Sequence, residues 1–332
     1  MKNGKRTEIS EWYRGKRLLV TGGAGYLATN LIWLLKEVDC HIVRLDRPQA
    51  YFVDIRGRAR IDDAMEDIST ILDWSSFIGG RDVVFHFAAQ TSVTVANADP
   101  EQDFRINVVP ILRLLESCRK VGGGITVLLS GTVTEVGIPK RLPINETHRD
   151  EPLTIYDAHK LMAEIYLKHY ACLGTVGGAV LRLANVYGPG PRSSNADRGV
   201  LNMMIRKALA NETLTVYGNG EWIRDYIHVE DVARAFLLAA LHIDKLNAGH
   251  FVIGCGTGHT LREAFSLVAD RVALRTGVHV RVDSVEPTRP LSIIELRNFI
   301  GDSSAFSEAT GWMPYYNLQD GLDQTIDYFV DK

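Results

Sequence analysis

The octapeptide TGGAGYLA, residues 21–28, follows the apolar run Leu18-Leu19-Val20 and leads into the helical pattern AGYLATNLIWLLKEV. Glycines placed between a strand and a helix can make a plain turn, or they can bring the backbone against a phosphate. In the second case Gly22 makes the tight turn, Gly25 lets the chain approach a pyrophosphate, and Ala28 permits close packing of helix on strand. Tyr26 and Leu27 then open the helix whose free N–H groups face the anion. A second spacing points the same way. The segment HIVRL ends at Asp46, 24 residues after Gly22, where a carboxylate can accept hydrogen bonds from an adenosine ribose. An acid there repels the extra 2′-phosphate of NADP, so NAD is expected over NADP, with the neighbouring Arg47 working against the distinction.

The second pair able to do chemistry is Tyr156 and Lys160. They stand four apart in IYDAHKLMAEIYLKHY, so both project from one face of a helix. An ammonium beside a phenol stabilises the phenolate and lowers the phenol pKa. That makes an acid/base of a hydroxyl that is otherwise inert.

These groups need a scaffold, and the first half of the chain supplies one. Apolar or β-branched runs at 17–21, 41–45, 82–87, 125–130 and 179–184 alternate with helical patterns at 24–37, 101–120 and 157–173. The expected fold is α/β, a Rossmann-type doubly wound parallel sheet with a smaller C-terminal lobe. Residues 1–184 are read as the dinucleotide-binding domain and 185–332 as the second lobe, with late elements near 223–254 returning to the first sheet. A ligand is expected in the crevice between them.

The composition excludes other classes. Of 332 residues 46% are hydrophobic and 23% charged, and the net charge is −3, which offers no electrostatic reason to bind nucleic acid or an anionic membrane. The opening residues lack an apolar core of the signal-peptide kind, and no run approaches the ~20 apolar residues of a membrane helix. Cys40, Cys118, Cys172 and Cys255 lie far apart. No metal site or disulfide framework is expected, and a cytoplasmic protein is.

Taken together these motifs resemble the extended short-chain dehydrogenase/reductase family, in its nucleotide-sugar epimerase/dehydratase branch. TGGAGYL is similar to that family's cofactor loop, FHFAAQTSV (85–93) to its fourth-strand segment, and SGTVTEVG (130–137) to the fifth-strand segment carrying a catalytic Ser or Thr. LRLANVYGPG (181–190), VYGNGEWIRDYIHVEDVARA (216–235) and TGWMPYYNLQDGL (310–322) resemble its nucleotide-sugar lobe. The resemblance implies Tyr156 as acid/base, Lys160 on the nicotinamide ribose and tuning the phenol, and Thr132 as the hydroxyl that assists at the sugar oxygen. It implies cofactor contacts at Asp67, Ile68, Ala88, Ala89, Gln90, the supporting Asn107, Tyr156 and Lys160, besides the loop residues, Asp46 and Arg47. It implies substrate contacts at Asn185, Val200, Tyr217, Arg224 and Arg289, with Arg224 on the diphosphate. Three departures stand out: Val136-Gly137 replaces the family's Tyr-Gly, Ala28 its third glycine, and Arg289 lies farther upstream of Glu295 than the family's Arg-acid pairing.

The implied reaction begins with oxidation at C4 to a 4-keto sugar. Dehydratases and decarboxylases of the family place an acid just after the catalytic Ser/Thr, and the matching positions here are Val133 and Thr134, poor groups for proton transfer. This favours an NAD-dependent 4-epimerase acting on a nucleotide-diphosphate sugar, a UDP-sugar by preference. A dehydratase or decarboxylase returns if a one-residue slip brings Glu135 into the acid's place, and a 4-keto-sugar reductase is a further alternative. A non-catalytic dinucleotide sensor is the alternative from another class. The apolar positions Ile111, Leu112, Leu114, Leu115, Leu161, Met162, Ile165 and Tyr166 lie on the two long helical segments. With the resemblance, they imply a homodimer through a four-helix bundle.

Overall fold

The computed structural model describes residues 3–191, 199–287 and 294–331. Its centre is a sheet of seven parallel strands: β1 (Arg17–Thr21), β2 (His41–Asp46), β3 (Arg60–Met65), β4 (Val83–His86), β5 (Thr126–Thr132), β6 (Gly177–Leu183) and β10 (Gly249–Ile253). Their spatial order is β10-β6-β5-β4-β1-β2-β3. The order reverses between β1 and β4, and ligands of such sheets bind outside the carboxyl ends of the strands at that point.

Buried on both faces, β4, β5 and β6 read as near-continuous apolar runs, as interior parallel strands do. The edge strand β3 is different. Its sequence RIDDAM is half exposed and polar, and it is recognised by its pairing rather than by its composition. Arg44 of β2 stands opposite Asp63 of β3 and makes two hydrogen bonds to it, at 2.6 and 2.9 Å.

One face of the sheet is covered by α1 (Asn3–Tyr13), α2 (Tyr26–Leu35) and α9 (Val229–Leu241). Leu31, Leu35 and Phe236 pack there with Leu18 and Phe85, and the Tyr13 hydroxyl donates to the Leu237 carbonyl at 3.0 Å. The other face carries α3 (Ser75–Ile78), α4 (Val93–Ala98), α5 (Pro100–Asn107), α6 (Val109–Val121) and α7 (Ile155–Cys172). The helical pattern at 101–120 is thus two helices, because Pro110 sits in the first turn of α6 and cannot continue a preceding helix. Ile111, Leu114 and Leu115 face the sheet and are buried, whereas Met162 and Ile165 of α7 are exposed.

The second lobe has its own core, built from α8 (Val200–Leu209), α11 (Leu261–Thr276), α13 (Leu318–Val330) and the parallel pair β8 (Leu214–Tyr217) and β12 (Val282–Val285). A three-stranded sheet, β11-β9-β7, joins β7 (Asn185–Tyr187), β9 (Ile223–His228) and β11 (Gly258–Thr260). The short helices α10 (Ile243–Leu246) and α12 (Ser304–Thr310) flank β10. Buried carboxylates pin these parts together. Asp225 accepts the N–H groups of Cys255, Gly256 and Gly301, and Asp231 those of Tyr315 and Tyr316. Among the described residues no helix is long and apolar enough to cross a membrane, and no group of His, Cys, Asp or Glu could hold a metal.

Candidate active site

The glycine loop leaves β1 and enters α2 at the switch point of the sheet. Gly22 has φ +65°, and a Cβ there would lie 2.8 Å from the Ala88 nitrogen, so both conformation and space require glycine. Gly25 is equally confined, with the Gly22 carbonyl oxygen 2.8 Å from where a Cβ would be. Gly23, which the spacing argument passes over, is tighter still: its Cβ would come within 2.6 Å of the Arg44 Cβ. The paired glycines of TGG were the signal for it.

Gly25 is the residue before α2 and gives no side-chain cap to it, so the first-turn amides of Tyr26 and Leu27 face outward without one. Asp46, at the end of β2, accepts the Ala24 N–H at 3.0 Å through Oδ2 and the Arg47 N–H at 2.8 Å through Oδ1. Each oxygen keeps a lone pair, so the acid is tied to the loop and still able to accept from a ribose. A confined cradle, an uncapped helix N-terminus and an adjacent acid fit a dinucleotide pyrophosphate and its ribose. The Tyr26 hydroxyl donates to the Gly188 carbonyl at 2.9 Å, and Asn30 to that of Pro189 at 3.0 Å, which fastens the YGPGP loop over this helix.

Around the cradle the remaining expected cofactor residues divide. Ala88, Ala89 and Gln90 leave the end of β4 beside the loop, with the Ala88 N–H on Thr21 Oγ1 at 3.2 Å. Asp67 uses Oδ1 for both the Ser69 N–H and hydroxyl, and the Ile68 side chain is buried in the core. Asn107 bonds both backbone polar groups of Gln90 and also donates to Asp103. It fixes the peptide of Gln90. Buried Asp103 also accepts from the Gln90 side chain at 2.6 Å and lies 2.6 Å from His159 Nδ1, making it the centre of a network that the sequence reading did not include.

Thr132 ends β5, and Tyr156 and Lys160 occupy the first turns of α7, all three buried. The Lys160 charge reaches His86 at the end of β4. Burial, seconded by that charge, holds the His86 imidazole down at about 3, and it is therefore neutral beside Thr21. Between Thr132 and α7 runs a further connection. Thr132 Oγ1 is 2.9 Å from Thr134 Oγ1, whose hydroxyl donates to Asp157, the residue after Tyr156.

Glu135 turns the other way. One carboxylate oxygen caps the Thr132 N–H at 3.0 Å, and the other lies 2.9 Å from Arg182 Nε in the interior. Burial and the neighbouring Glu164 push the Glu135 carboxyl well above the usual range. For Glu164 burial acts in the same upward sense, but the hydrogen bonds from Arg182 override it and keep its carboxyl low. The Glu135 carboxylate is thus held between the Thr132 N–H and Arg182, on the interior side of the turn.

In the second lobe Asn185 opens β7, and its side chain has no partner among the described residues. Arg224 points its guanidinium at the carbonyls of Ile223, Glu295 and Arg297 and over the Phe299 ring. Neither nearby acid pairs with it, since Asp225 is bound to backbone amides and Glu230 to the Tyr316 hydroxyl. Burial lowers the Arg224 pKa, the mark of a desolvated cation without a carboxylate. Val200 begins α8 and Tyr217 ends β8, both exposed, and Arg289 lies outside the described residues.

Comparison with known proteins gives the same frame. The UDP-glucose 4-epimerase of Mycolicibacterium smegmatis is 29% identical over 323 residues, covering 95% of this chain and 99% of the relative. The crystal structure of a UDP-glucose 4-epimerase with UDP-glucose from Thermotoga maritima is 30% identical, with a TM-score of 0.83, covering 95% of this chain and 99% of that one. A Thermus thermophilus UDP-glucose 4-epimerase in complex with NAD is 29% identical, with a TM-score of 0.77 and the same coverage. Residues 18–254, from the first strand through the last strand of the large sheet, match the NAD dependent epimerase/dehydratase family. This span takes in the glycine loop, Asp46 and the helix carrying Tyr156 and Lys160, and the chain belongs to that family.

Proposed function

We propose that this chain is an NAD-dependent nucleotide-sugar 4-epimerase, with a UDP-sugar as substrate. The observation that supports this reading is the link from Thr132 at the end of β5 through Thr134 to Asp157 beside Tyr156, with the Lys160 charge reaching His86 at the end of β4 and Glu135 turned into the interior. When bound, NAD supplies the oxidant that takes a hydride from the sugar carbon and the reductant that returns it to the opposite face. Tyr156 takes the proton of the C4 hydroxyl and gives it back, Lys160 stabilises its phenolate, and Thr132 hydrogen-bonds the sugar oxygen. Asn185 and Arg224 hold the diphosphate, where the desolvated guanidinium meets an anion. The two residues after Thr132, Val133 and Thr134, offer no carboxylate to drive dehydration. A silent sensor has no physical need of the full Thr-Tyr-Lys set.

The deciding experiment has two stages. The protein, purified without added cofactor and then denatured, is expected to release NAD at near one per subunit. The holoprotein is then expected to interconvert a UDP-sugar and its C4 epimer. Release of NADPH, or a net reduced or dehydrated product, would replace this reading with that of another 4-keto-sugar enzyme. We also propose that it works as a homodimer through the helices around α7, a reading supported by exposed Met162, Ile165 and Phe104 on α7 and α5. Light scattering should give twice the chain mass, and the mass of one chain would reject it. All four cysteines are free, which suits a reducing cytoplasm.

A further inference from the structure

The chain holds its Thr132 by more than the strand that carries it. From the end of β5 the backbone turns through residues Val133–Val136, with the Thr132 N–H bonded to Glu135 at 3.0 Å. The hydroxyl is bonded too: Thr134 Oγ1 lies 2.9 Å from Thr132 Oγ1, and the Thr134 N–H donates to the same oxygen at 3.3 Å. Thr134 in turn donates to Asp157 Oδ1. Asp157 is fixed from below, because its own N–H is bonded at 3.0 Å to Thr154, the residue that caps α7. Since Asp157 directly follows Tyr156, the series Thr132–Thr134–Asp157 runs from one expected reactive group to the helical turn that carries the other.

This connection has an energetic oddity. Asp157 is 1% exposed, and its second carboxylate oxygen is buried with no hydrogen-bond partner. A half-satisfied buried carboxylate destabilises the fold, since the group has lost water without full replacement.

We propose that Asp157 and Thr134 are positioning residues that hold the Thr132 hydroxyl at a fixed separation and orientation relative to Tyr156. Two groups that must both address one sugar oxygen need that registry. Displacement by about 1 Å can lower a rate by about 100-fold. The inference rests on the reading of Thr132 and Tyr156 given above.

The test measures the rate at which bound NAD is reduced when a UDP-sugar is mixed with the holoprotein. That half-reaction is shared by every enzyme that begins by oxidising the C4 hydroxyl to a 4-keto sugar, so it reports on Asp157 whichever product such an enzyme then makes. Thr134→Val and Asp157→Ala should slow it by about 10- to 100-fold. Affinity for UDP should be unchanged and the melting temperature unchanged or higher. Thr134→Ser and Asp157→Asn, which restore a hydroxyl and an acceptor, should recover most of the rate. An unaltered rate in Thr134→Val, or a loss that tracks a lowered melting temperature and is not rescued by serine, would overturn the proposal. Wild-type protein that reduces no NAD with any UDP-sugar would overturn the functional reading and this inference together, whereas active wild type with indifferent variants would overturn this inference alone.

Discussion

Tyr156→Phe is expected to lower turnover by about 1,000-fold, within the range by which a positioned acid/base accelerates proton transfer. The substitution deletes one oxygen and keeps the ring. Because Tyr156 is buried in the first turn of α7, the remaining phenyl group fills the same space and the helix should be undisturbed. NAD affinity should therefore be nearly unchanged, since the cradle is built from β1, α2 and Asp46 rather than from α7. The measurement is a pair: C4 inversion of a UDP-sugar, and titration of released cofactor from both proteins. Turnover equal to wild type would remove Tyr156 from the chemistry. Loss of bound NAD alongside turnover would mean that the hydroxyl serves binding rather than proton transfer.

The largest effect on stability is expected from Arg182→Met. Arg182 is 1% exposed and lies at the centre of an acidic group: Nε and Nη2 donate to Glu164 at 2.9 and 2.7 Å, and Nη1 to Asp150 at 2.6 Å. Glu135 stands 2.9 Å from Nε as well. Burial acts against the guanidinium charge, but these carboxylates more than offset it and raise its pKa. Methionine replaces only the aliphatic stem and carries no charge, so the change leaves buried Glu135 without its cation and Glu164 with Lys168 alone, 3.3 Å away at the edge of the group. Removing one partner from such a group destabilises by about 3–5 kcal/mol, because the remaining charge is left desolvated and unpaired. Denaturant unfolding of the variant against wild type reads this directly, and a difference under about 0.5 kcal/mol would show that the acids simply take up protons. The consequence should extend to the site, because Glu135 joins this group to the Thr132 N–H.

Local sequence was informative wherever function or burial imposes a residue type on a short stretch. The strands at 17–21, 41–46, 83–86 and 177–183 show as apolar runs because both faces of a parallel sheet are covered. The glycine cradle was legible because only glycine tolerates the conformation of Gly22 and the contacts of Gly25. Tyr156 and Lys160 were legible because helical periodicity alone sets them on one face.

By itself, then, the sequence determined the class of fold, the confined glycine turn between β1 and α2, and the placing of Tyr156 and Lys160 on one helix, all consequences of local spacings. Tertiary structure decided what depends on distant segments meeting. It admitted polar RIDDAM as an edge strand through Arg44 and Asp63, and it turned Ile111, Leu114 and Leu115 inward to the sheet. It also drew Glu135 away from the site, since Arg182, 47 residues later, offers a buried partner that no local pattern could announce. The link from Thr132 through Thr134 to Asp157 belongs with these, because a hydrogen bond between β5's turn and α7 has no signature in the spacing of its residues.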